Sequence, residues 1–399
     1  MSKLEKLIQQ FCPDGVEYVP LSSIGTIKRG NGLQKKDFVK SGIGCIHYGQ
    51  IYTKFGLFTD KTLTYVDKEL ADHLLHIEKE DLVIACTSEN IEDVCKAVAW
   101  LGDDSIVTGG HSCVLHHNQN PKYIAYFFQT ESFQRQKRKY AYGTKVIDIK
   151  PDSIGKIEIP VPPLPVQEEI VRVLDAFTEL QAELQAELQK RKQQYNFYRD
   201  NLLSFEGRTD VQWMKLGDVA YYVKNRITSS SITTSNYVSV ENLLQDKQGK
   251  TIASNVPDGC LIHYEPGDVL IGNIRPYLKK IWLANGDGGT NGDVLTIRAD
   301  RKFLSPEFLY QCLASDDFFQ YDMNHAKGAK MPRGSKDDVM NYKIPITSLS
   351  EQQKIVDILD RFDTLTNDLT SGLPAEMEKR RQQYEFYRDK LLTFKRKEA

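Results

Sequence analysis

A long apolar stripe with a seven-residue period runs along the middle of the chain, over residues 166–205. The positions on this grid are Ile170, Phe177, Leu184, Tyr198 and Phe205, and a second series contains Leu174, Leu188, Tyr195 and Leu202. Such spacing places side chains on one face of a helix, so it predicts a helix of roughly 40 residues with a seam for another helix. Pro163 and Pro165 precede the pattern and Gly207 follows it, as expected at the two ends of a helix.

The seam helix belongs to an internal repeat. Residues 190–205, KRKQQYNFYRDNLLSF, return as residues 379–394, KRRQQYEFYRDKLLTF, with 12 of 16 positions identical. Two further pairs of segments are similar, 159–177 with 344–362 and 16–25 with 211–220. A repeat of this length indicates a duplicated domain with pseudo-twofold symmetry. Residues 4–11 resemble the end of the first copy, so the C-terminal helix is expected to continue into the N-terminus and the repeat is cyclic.

The second copy is expected to form two helices where the first forms one. Its apolar grid runs through Ile355, Phe362 and Leu369 and is then interrupted by Gly372 and Pro374. Both residues break helices, so the pattern predicts two helices joined by a kink or a short loop. The matching seams predict that the long helices of the two copies pack on each other, and the cyclic repeat makes this pairing antiparallel. The alternative is that each helix docks on its own domain.

A four-residue repeat, LQAELQAEL, occupies residues 180–188 of the first predicted helix. Each unit of four residues adds ~6 Å to a helix and is compatible with one continuous apolar stripe. We interpret the repeat as an adjustable spacer. Chance repetition of good helix formers is the alternative.

The two blocks that differ between the copies, residues 14–155 and 207–340, have a mixed pattern. Short alternating apolar runs predict strands at 81–86, 96–101, 112–117, 268–274, 280–284 and 293–299. Each block closes with an amphipathic helix, predicted over 121–136 and 305–320, with a proline in its first turn. The pattern therefore predicts an α+β domain in each block.

Composition narrows the class of protein only slightly. The chain has 399 residues, 40% of them hydrophobic, and a formal net charge of −2. No apolar run reaches the ~18 residues needed to span a bilayer, and the N-terminus lacks the apolar core of a secretory signal, so we expect a cytoplasmic protein. The seven cysteines are odd in number and lack paired C-x-x-C spacing, so we expect them to be reduced and mostly buried.

Basic residues cluster at one equivalent place in the two copies. Residues 133–145 contain five lysines and arginines and no acid, and residues 325–336 contain four. Alignment of the copies superimposes Gly-Thr-Lys at 143–145 on Gly-Ala-Lys at 328–330. This recurrence indicates an anionic partner such as nucleic acid, and a solvated charged face is the alternative.

No complete catalytic motif is evident in the sequence. Residues 120–123, NPKY, lack the second proline of the Asn-Pro-Pro-aromatic motif of amino-methyltransferases, and the glycine-rich residues 285–293 lack the Lys-Ser/Thr ending of a phosphate loop. His111, His116 and His117 have no acid or cysteine at metal-ligand spacing. We therefore expect a binding protein rather than an enzyme.

These segments together resemble the DNA specificity subunit of type I restriction-modification enzymes. The resemblance rests on IPVPPLPVQEEIVRVLD and IPITSLSEQQKIVDILD, on the QQYxFYRDxLLxF endings and on the two Gly-x-Lys loops, and it covers the whole chain. The LQAELQAEL and KRKQQYNFYRD segments are similar to the type IC subgroup. The implied fold class is α+β, with two α/β target recognition domains separated by two long antiparallel helices that form a coiled-coil spacer, in a pseudo-twofold cyclic repeat.

The resemblance also implies domain boundaries in the chain and separate roles for the subunits of the complex. The implied domains are an N-terminal segment with the first target recognition domain at 1–155, a central long-helix spacer at 156–206, a second target recognition domain at 207–340 and a C-terminal long-helix spacer at 341–399. Each recognition domain would read one half of an asymmetric split site in double-stranded DNA. Modification subunits would bring S-adenosylmethionine and the adenine-methylating site, and restriction subunits would bring ATP and Mg for translocation and cleavage. No cofactor is expected in this chain.

The candidate DNA contacts come from loop position and from charge. Loop position implies Gly143, Thr144 and Lys145 in the first copy and Gly328, Ala329 and Lys330 in the second, although Ala329 cannot hydrogen-bond a base. Charge adds Arg135, Arg138, Lys139, Lys327 and Arg333 as phosphate contacts and, as weaker candidates, Lys35, Lys36, Arg226 and Arg275. The alternative function is a stand-alone DNA-binding regulator or architectural protein, and a solitary methyltransferase or nuclease is a third class.

Overall fold

A computed structural model of the chain describes residues 2–205, 207–367 and 372–398. Its α-helices are α1 Lys3–Phe11, α2 Leu21–Ile24, α3 Tyr48–Thr53, α4 Lys68–Ala71, α5 Pro121–Phe127, α6 Glu131–Lys137, α7 Pro151–Gly155, α8 Leu164–Ser204, α9 Leu216–Val219, α10 Pro306–Leu313, α11 Asp316–His325, α12 Lys336–Asn341, α13 Leu349–Asn367 and α14 Leu373–Leu391. Short 3-10 helices lie at Lys35–Asp37, Ser229–Ser231 and Pro276–Leu278.

The strands are β1 Tyr18–Pro20, β2 Gly25–Arg29, β3 Ile43–Ile46, β4 Phe58–Thr59, β5 Thr64–Val66, β6 Leu75–Ile77, β7 Leu82–Ala85, β8 Thr87–Ser88, β9 Ala97–Trp100, β10 Ile106–Thr108, β11 Ser112–His117, β12 Ile147–Asp148, β13 Glu158–Pro160, β14 Gln212–Lys215, β15 Ala220–Tyr222, β16 Arg226–Thr228, β17 Tyr237–Val238, β18 Cys260–Tyr264, β19 Val269–Gly272, β20 Ile281–Leu283, β21 Gly288–Thr290, β22 Val294–Ala299 and β23 Lys343–Ile346. All six apolar runs that predict strands contain one.

The chain folds into two compact units. Unit 1 comprises residues 1–183 and 378–399, and unit 2 comprises residues 184–377. Unit 1 thus takes its last helix from the far end of the chain, and there Val16 forms a parallel bridge with Arg396. This closure is what the cyclic repeat predicts.

The predicted domain boundaries separate the spacer helices from the recognition domains. They lie after residues 155, 206 and 340, whereas each compact unit includes helix and sheet together. The boundaries therefore stay predictions.

In unit 1 a five-stranded sheet, in the order β2-β11-β7-β9-β4, accompanies a four-stranded sheet, β5-β3-β10-β6, and two small sheets, β1-β13 and β12-β8. Strand β7 is buried along its whole length because both of its faces are covered. Leu82 and Ile84 belong to a core cluster that includes residues of α5, and Val83 belongs to a cluster with Ile51 of α3.

Unit 2 repeats this arrangement with the sheets β15-β22-β19-β20, β16-β18-β21-β17 and β14-β23. The central strand β19 is likewise buried throughout. Val269 and Ile271 join the cluster that contains Phe308 of α10, while Leu270 joins a second cluster with Val238. In each unit the central strand therefore contributes to two apolar clusters, which are built from different residues in the two units.

The predicted seam helix is confirmed as α8, a single helix of 41 residues. Within unit 1 its Phe177 stacks on Tyr387 of α14 with ring centroids 5.6 Å apart, and within unit 2 its Tyr198 stacks on Phe362 of α13 at 5.2 Å. Phe177 and Phe362 are equivalent in the repeat, as are Tyr198 and Tyr387. The seam of each copy thus packs on that of the other in antiparallel fashion, as predicted.

The second copy forms two helices, α13 and α14, as its interrupted grid predicts. Pro374 lies in the first turn of α14, where a proline fits without disturbing the helix. The predicted seam position Leu369 lies outside the described residues. None of the described helices is long and apolar enough to cross a membrane.

The closing helices of the two blocks are shorter than predicted. Residues 121–136 form α5 and α6, and residues 305–320 fall in α10 and α11. The break has the same cause in both units. The Thr130 hydroxyl accepts a hydrogen bond from the Phe133 backbone and so starts a new helix, and Ser315 does the same with the backbone of Phe318.

The expectation that all cysteines are reduced is wrong for one pair. A disulfide joins Cys86 to Cys113, whose Cα atoms are 6.3 Å apart. Cys86 follows β7 and Cys113 lies on the adjacent strand β11, and this proximity of two buried thiols is invisible in their spacing along the chain. Of the free cysteines, Cys12, Cys45, Cys95 and Cys312 are buried, as expected, and Cys260 is exposed.

Candidate nucleic-acid interface

The first Gly-x-Lys loop is the tip of a short hairpin, hairpin 1. The backbones of Tyr142 and Asp148 exchange two hydrogen bonds, of 3.0 and 2.8 Å, and enclose residues 143–147. Gly143 has a φ of +114°, and a Cβ at this position would collide with the carbonyl oxygen of Val146. The tight turn therefore requires glycine, and it leaves the side chains of residues 144–146 exposed.

The second Gly-x-Lys loop is the equivalent hairpin in unit 2, hairpin 2. Lys327 and Arg333 exchange two backbone hydrogen bonds, both of 2.9 Å, around residues 328–332. Gly328 has a φ of +105°, so it adopts the same unusual backbone region as its counterpart. The alignment of the two loops by sequence is thus matched by their structure. Lys327 and Lys330 are both exposed.

Each hairpin is held by one ion pair at its exit. Arg29 of β2 donates two hydrogen bonds to the carboxylate of Asp148, at 3.0 and 2.6 Å, and this carboxylate raises the pKa of Arg29. In hairpin 2, Arg333 occupies the position of Asp148 and pairs with Asp293 at 2.8 Å. The same position is therefore acidic in one unit and basic in the other. Arg333, a candidate phosphate contact, is engaged in this pair in the structure.

Arg275 is brought to hairpin 2 by the fold. Its backbone N–H donates to the carbonyl of Pro332 at 2.7 Å, and its neighbour Ile274 pairs with Arg333. Its φ of +54° lies in the left-handed region, and its side chain is exposed. Arg275 is a weak candidate by sequence because only its charge indicates a DNA contact.

A cleft of about 700 Å³ lies beside hairpin 2 in unit 2. Its lining includes Arg275, Met331, Lys280, Asn255, Asn291 and Asp293. Basic groups, amides and a carboxylate thus face one opening next to the hairpin. These are the group types that bind phosphates and read base edges in DNA complexes.

A hydrogen bond that is present in both units identifies the region of unit 1 that is equivalent to the cleft. The Thr108 hydroxyl donates to the carbonyl of Ile46 at 2.7 Å, and the Thr290 hydroxyl donates to that of Val238 at 2.7 Å. Both bonds join strands that pair in parallel. The residues that follow these strands are therefore equivalent in the two units.

In unit 1 these equivalent positions carry an aromatic cluster. Tyr48 packs against the rings of His47 and His111, with centroids 4.5 and 4.7 Å away. Burial, with the nearby Lys35 and His111, lowers the pKa of His47, whose Nδ1 accepts the N–H of Gly49. In unit 2 the counterparts of His47 and His111 are Ser239 and Asp293, which line the cleft. The two units therefore offer different hydrogen-bonding groups at one structural place.

The basic residues of segment 133–145 in unit 1 are not all exposed. Arg135, Arg138 and Lys139 are exposed, but Lys137 is buried and donates to the carbonyls of Glu92 and Val94 at 2.9 Å each. Burial lowers the pKa of Lys137 to about 8. The run is therefore not one continuous exposed face, and Arg138 lines a cavity shared with the long-helix residues Gln181 and Arg388 of unit 1.

The remaining candidates belong to elements other than the hairpins. Arg226 is exposed on β16, the edge strand of its sheet, and the opposite edge strand β17 carries the cleft residue Tyr237. Lys36 is exposed in the 3-10 helix Lys35–Asp37. The Nδ1 atom of His111 forms a hydrogen bond with the hydroxyl of Thr87 at 3.0 Å. Among the described residues there is no cluster of three metal-ligating side chains.

Sequence reasoning missed several residues at this interface. Val146 and Met331 were not predicted as DNA contacts, because the candidates were chosen by loop motif and positive charge and these two residues are apolar. Asp293 and Asn291 of the cleft lie in the glycine-rich segment 285–293, which the sequence identifies only as a strand connection. The signal that finds Val146 and Met331 is their shared position after the lysine of each loop.

The comparisons with known proteins agree in sequence and fold. The model of the type I restriction modification DNA specificity domain matches residues 13–191 and 209–379. Over 424 aligned residues the chain is 30% identical to the specificity subunit of the type I restriction enzyme EcoR124I/EcoR124II from Escherichia coli, with 100% of this chain and 98% of that protein covered. It is 32% identical to a putative type I restriction enzyme specificity subunit from Haemophilus influenzae over 60% of this chain and 65% of that protein.

The solved structures show the same fold. A chain from the type I R-M system, solved to address complex assembly and conformational transition, matches with a TM-score of 0.60 at 16% identity, over 96% of this chain and 98% of that chain. The S subunit of a type I restriction-modification system from M. genitalium matches with a TM-score of 0.50 at 16% identity, over 95% of this chain and 96% of that chain. The predicted fold class is therefore confirmed.

Proposed function

Because the chain belongs to the type I restriction modification DNA specificity domain family, we propose that it selects the DNA sequence for a type I restriction-modification complex. Its site is bipartite, and each unit reads one half. The observation that carries this proposal is the pair of equivalent hairpins, one in each unit, with an exposed lysine at the same position.

The two half-sites differ in sequence, because the residues around the hairpins differ. The equivalents His111 and Asp293 present an imidazole in unit 1 and a carboxylate in unit 2. A carboxylate accepts hydrogen bonds, as from the amino group of cytosine, whereas an imidazole nitrogen can donate or accept. One structural frame thus recognises two different sequences.

Lysines at the hairpin tips provide sequence-independent affinity by binding phosphates. Replacing Lys145 with glutamine should lower the slope of log affinity against log salt concentration by about one, because each phosphate contact releases about one counterion. Titration of the complete complex with its DNA at several salt concentrations measures this slope. Lys79→Gln is the matched control, since Lys79 is paired with Asp103 away from the hairpin, and it should leave the slope unchanged. Equal slopes for Lys145→Gln and the unmodified protein would remove Lys145 from the DNA interface.

The chemistry of the complex resides in partner subunits. Modification subunits supply S-adenosylmethionine and the adenine-methylating site, and restriction subunits supply ATP-driven translocation and cleavage with Mg. This chain is the non-catalytic subunit, it acts in the cytoplasm, and its long helices hold the partners. The Escherichia coli relative named above is itself the specificity subunit of a restriction enzyme, which supports this division.

Exposed aromatic side chains on the long helices are the proposed docking points for modification subunits. Phe197 of α8 is 63% exposed, and Phe386 of α14, at the equivalent position of the repeat, is 61% exposed. Each lies two residues from a tyrosine of the same helix, Tyr195 or Tyr384, which is buried in its own unit. Two equivalent apolar points suit two copies of one partner.

Replacing Phe386 with alanine should weaken the binding of one modification subunit by about 30-fold, because a buried aromatic anchor contributes about 2 kcal/mol or more to an interface. The stoichiometry and affinity of the complex can be measured by analytical ultracentrifugation. Tyr221→Ala, which removes an aromatic ring that is 53% exposed on β15, should have no effect. Unchanged assembly of the Phe386→Ala and Phe197→Ala variants would exclude this surface.

Methylation by purified components tests the proposed function. The chain with modification subunits should methylate adenines at one split sequence, whereas neither component alone should do so. Methylation by the chain alone would identify a solitary methyltransferase. Specific DNA binding by the chain without any partner requirement, and no methylation of any mixture, would favour a stand-alone regulator.

A further inference from the structure

Each hairpin tip carries an exposed apolar side chain at the same position. Val146 follows Lys145 in hairpin 1 and is 59% exposed, and Met331 follows Lys330 in hairpin 2 and is 52% exposed. In the described part of the chain, neither side chain belongs to a hydrophobic core cluster. Folding therefore gains little from either residue.

The hairpin backbone keeps these side chains at the surface. In hairpin 1, Gly143 turns the chain so that the carbonyl of Val146 lies against it, and the ion pair between Arg29 and Asp148 holds the exit strand. Single exposed apolar residues are common on protein surfaces. Two that recur after a lysine, on equivalent hairpins that otherwise share only the turn glycine, indicate a shared role.

The surroundings of Met331 show what this role requires. Met331 lines the cleft of unit 2 together with the cations Arg275 and Lys280 and the carboxylates Glu241 and Asp293. Asp293 is paired with Arg333, so an apolar group stands beside cationic groups at this end of the cleft. Such a surface matches a partner with anionic groups on either side of an apolar one. Double-stranded DNA has this pattern in its major groove, where the 5-methyl group of thymine is flanked by phosphates.

We infer that Val146 and Met331 each contact the 5-methyl group of a thymine in their own half-site, while Lys145 and Lys330 bind neighbouring phosphates. This inference rests on the proposed function and adds the chemistry by which the tips read sequence. Apolar contact with a thymine methyl needs no hydrogen bond. It therefore gives hairpin 2 a way to read sequence even though Ala329 replaces the hydrogen-bonding Thr144 of hairpin 1.

Uracil substitution tests the contact directly, because uracil differs from thymine only by the methyl group. The complex of this chain with modification subunits is titrated with duplexes in which each thymine of the methylated sequence is replaced by uracil in turn. One position in each half-site should lower the affinity by about fourfold, the value of one buried methyl group. Val146→Ser should abolish the effect in the first half-site alone, and Met331→Ser should abolish it in the second half-site alone.

Controls separate this contact from general damage. Both serine variants change exposed residues, so their melting temperatures should stay within about 2 °C of the unmodified protein. Lys145→Gln should retain the full response to uracil. If the serine variants respond to every uracil as the unmodified protein does, the inference is wrong. Absence of any sequence preference in the unmodified complex would instead contradict the proposed function.

Discussion

Insertion of one more Leu-Gln-Ala-Glu unit between Leu180 and Leu188 should lengthen the gap between the two half-sites by about one or two base pairs. Four residues add ~6 Å to a helix and rotate its remaining turns by about 40°, and one base pair advances 3.4 Å per strand. The insertion point lies within α8, which is one uninterrupted helix that contributes residues 164–183 to unit 1 and 184–204 to unit 2. Methylome sequencing measures the gap.

The half-site sequences themselves should not change, because the inserted residues lie outside the hairpins and the cleft. Gln185→Ala, which alters the same segment without changing its length, is the control and should leave the gap as it is. An unaltered gap in the insertion variant would show that LQAELQAEL does not set the separation of the recognition domains. Altered half-sites would show that this segment contacts bases.

Replacement of Arg199 by leucine should lower the free energy of unfolding of unit 2 by about 3 kcal/mol. Arg199 is 2% exposed, and its guanidinium donates to the Gln311 side chain at 3.2 Å and to the carbonyl of Ala314 at 3.1 Å. It also hydrogen-bonds the Tyr195 hydroxyl and lies 4.2 Å from the centre of that ring. Leucine would leave these buried acceptors unsatisfied.

The matched control is Arg388→Leu at the equivalent position of the repeat. The Arg388 guanidinium bonds the adjacent Asp389, whose side chain is 37% exposed and so stays hydrated without its partner, and the loss of Arg388 should therefore cost about 1 kcal/mol or less. Urea unfolding, with hydrogen exchange of α10 as the reporter for unit 2, measures both variants. Equal effects of the two substitutions would contradict the structural role assigned to Arg199.

Much of the helical frame was predictable because its signals are local and repeated. The seven-residue grid predicts a helix over residues 166–205, and α8 spans residues 164–204. The copied segments predict that the long helices of the two copies pack on each other, and the stacking of Phe177 and Tyr198 on the other copy confirms it. These predictions need only the periodicity of one helix and the identity of two segments.

The interface was less predictable because long-range contacts decide it. The recurring glycines locate both hairpins, yet only the fold brings Arg275 to the carbonyl of Pro332. By sequence Lys137 is part of a basic run, but its ammonium group donates to the backbone carbonyls of Glu92 and Val94 and is buried in unit 1. The pairing of Cys86 with Cys113 likewise depends on the neighbourhood of two strands. Charge and spacing along the chain contain none of this information.

A methylation map of a host genome, made with the modification subunits in the presence and in the absence of this chain, tests the central claim most directly. The claim is that two equivalent units in one chain select a split DNA sequence. The account predicts methylated adenines at one asymmetric sequence of two parts, separated by a fixed gap, only when the chain is present. The same methylation without the chain, or a single uninterrupted sequence, would contradict the account.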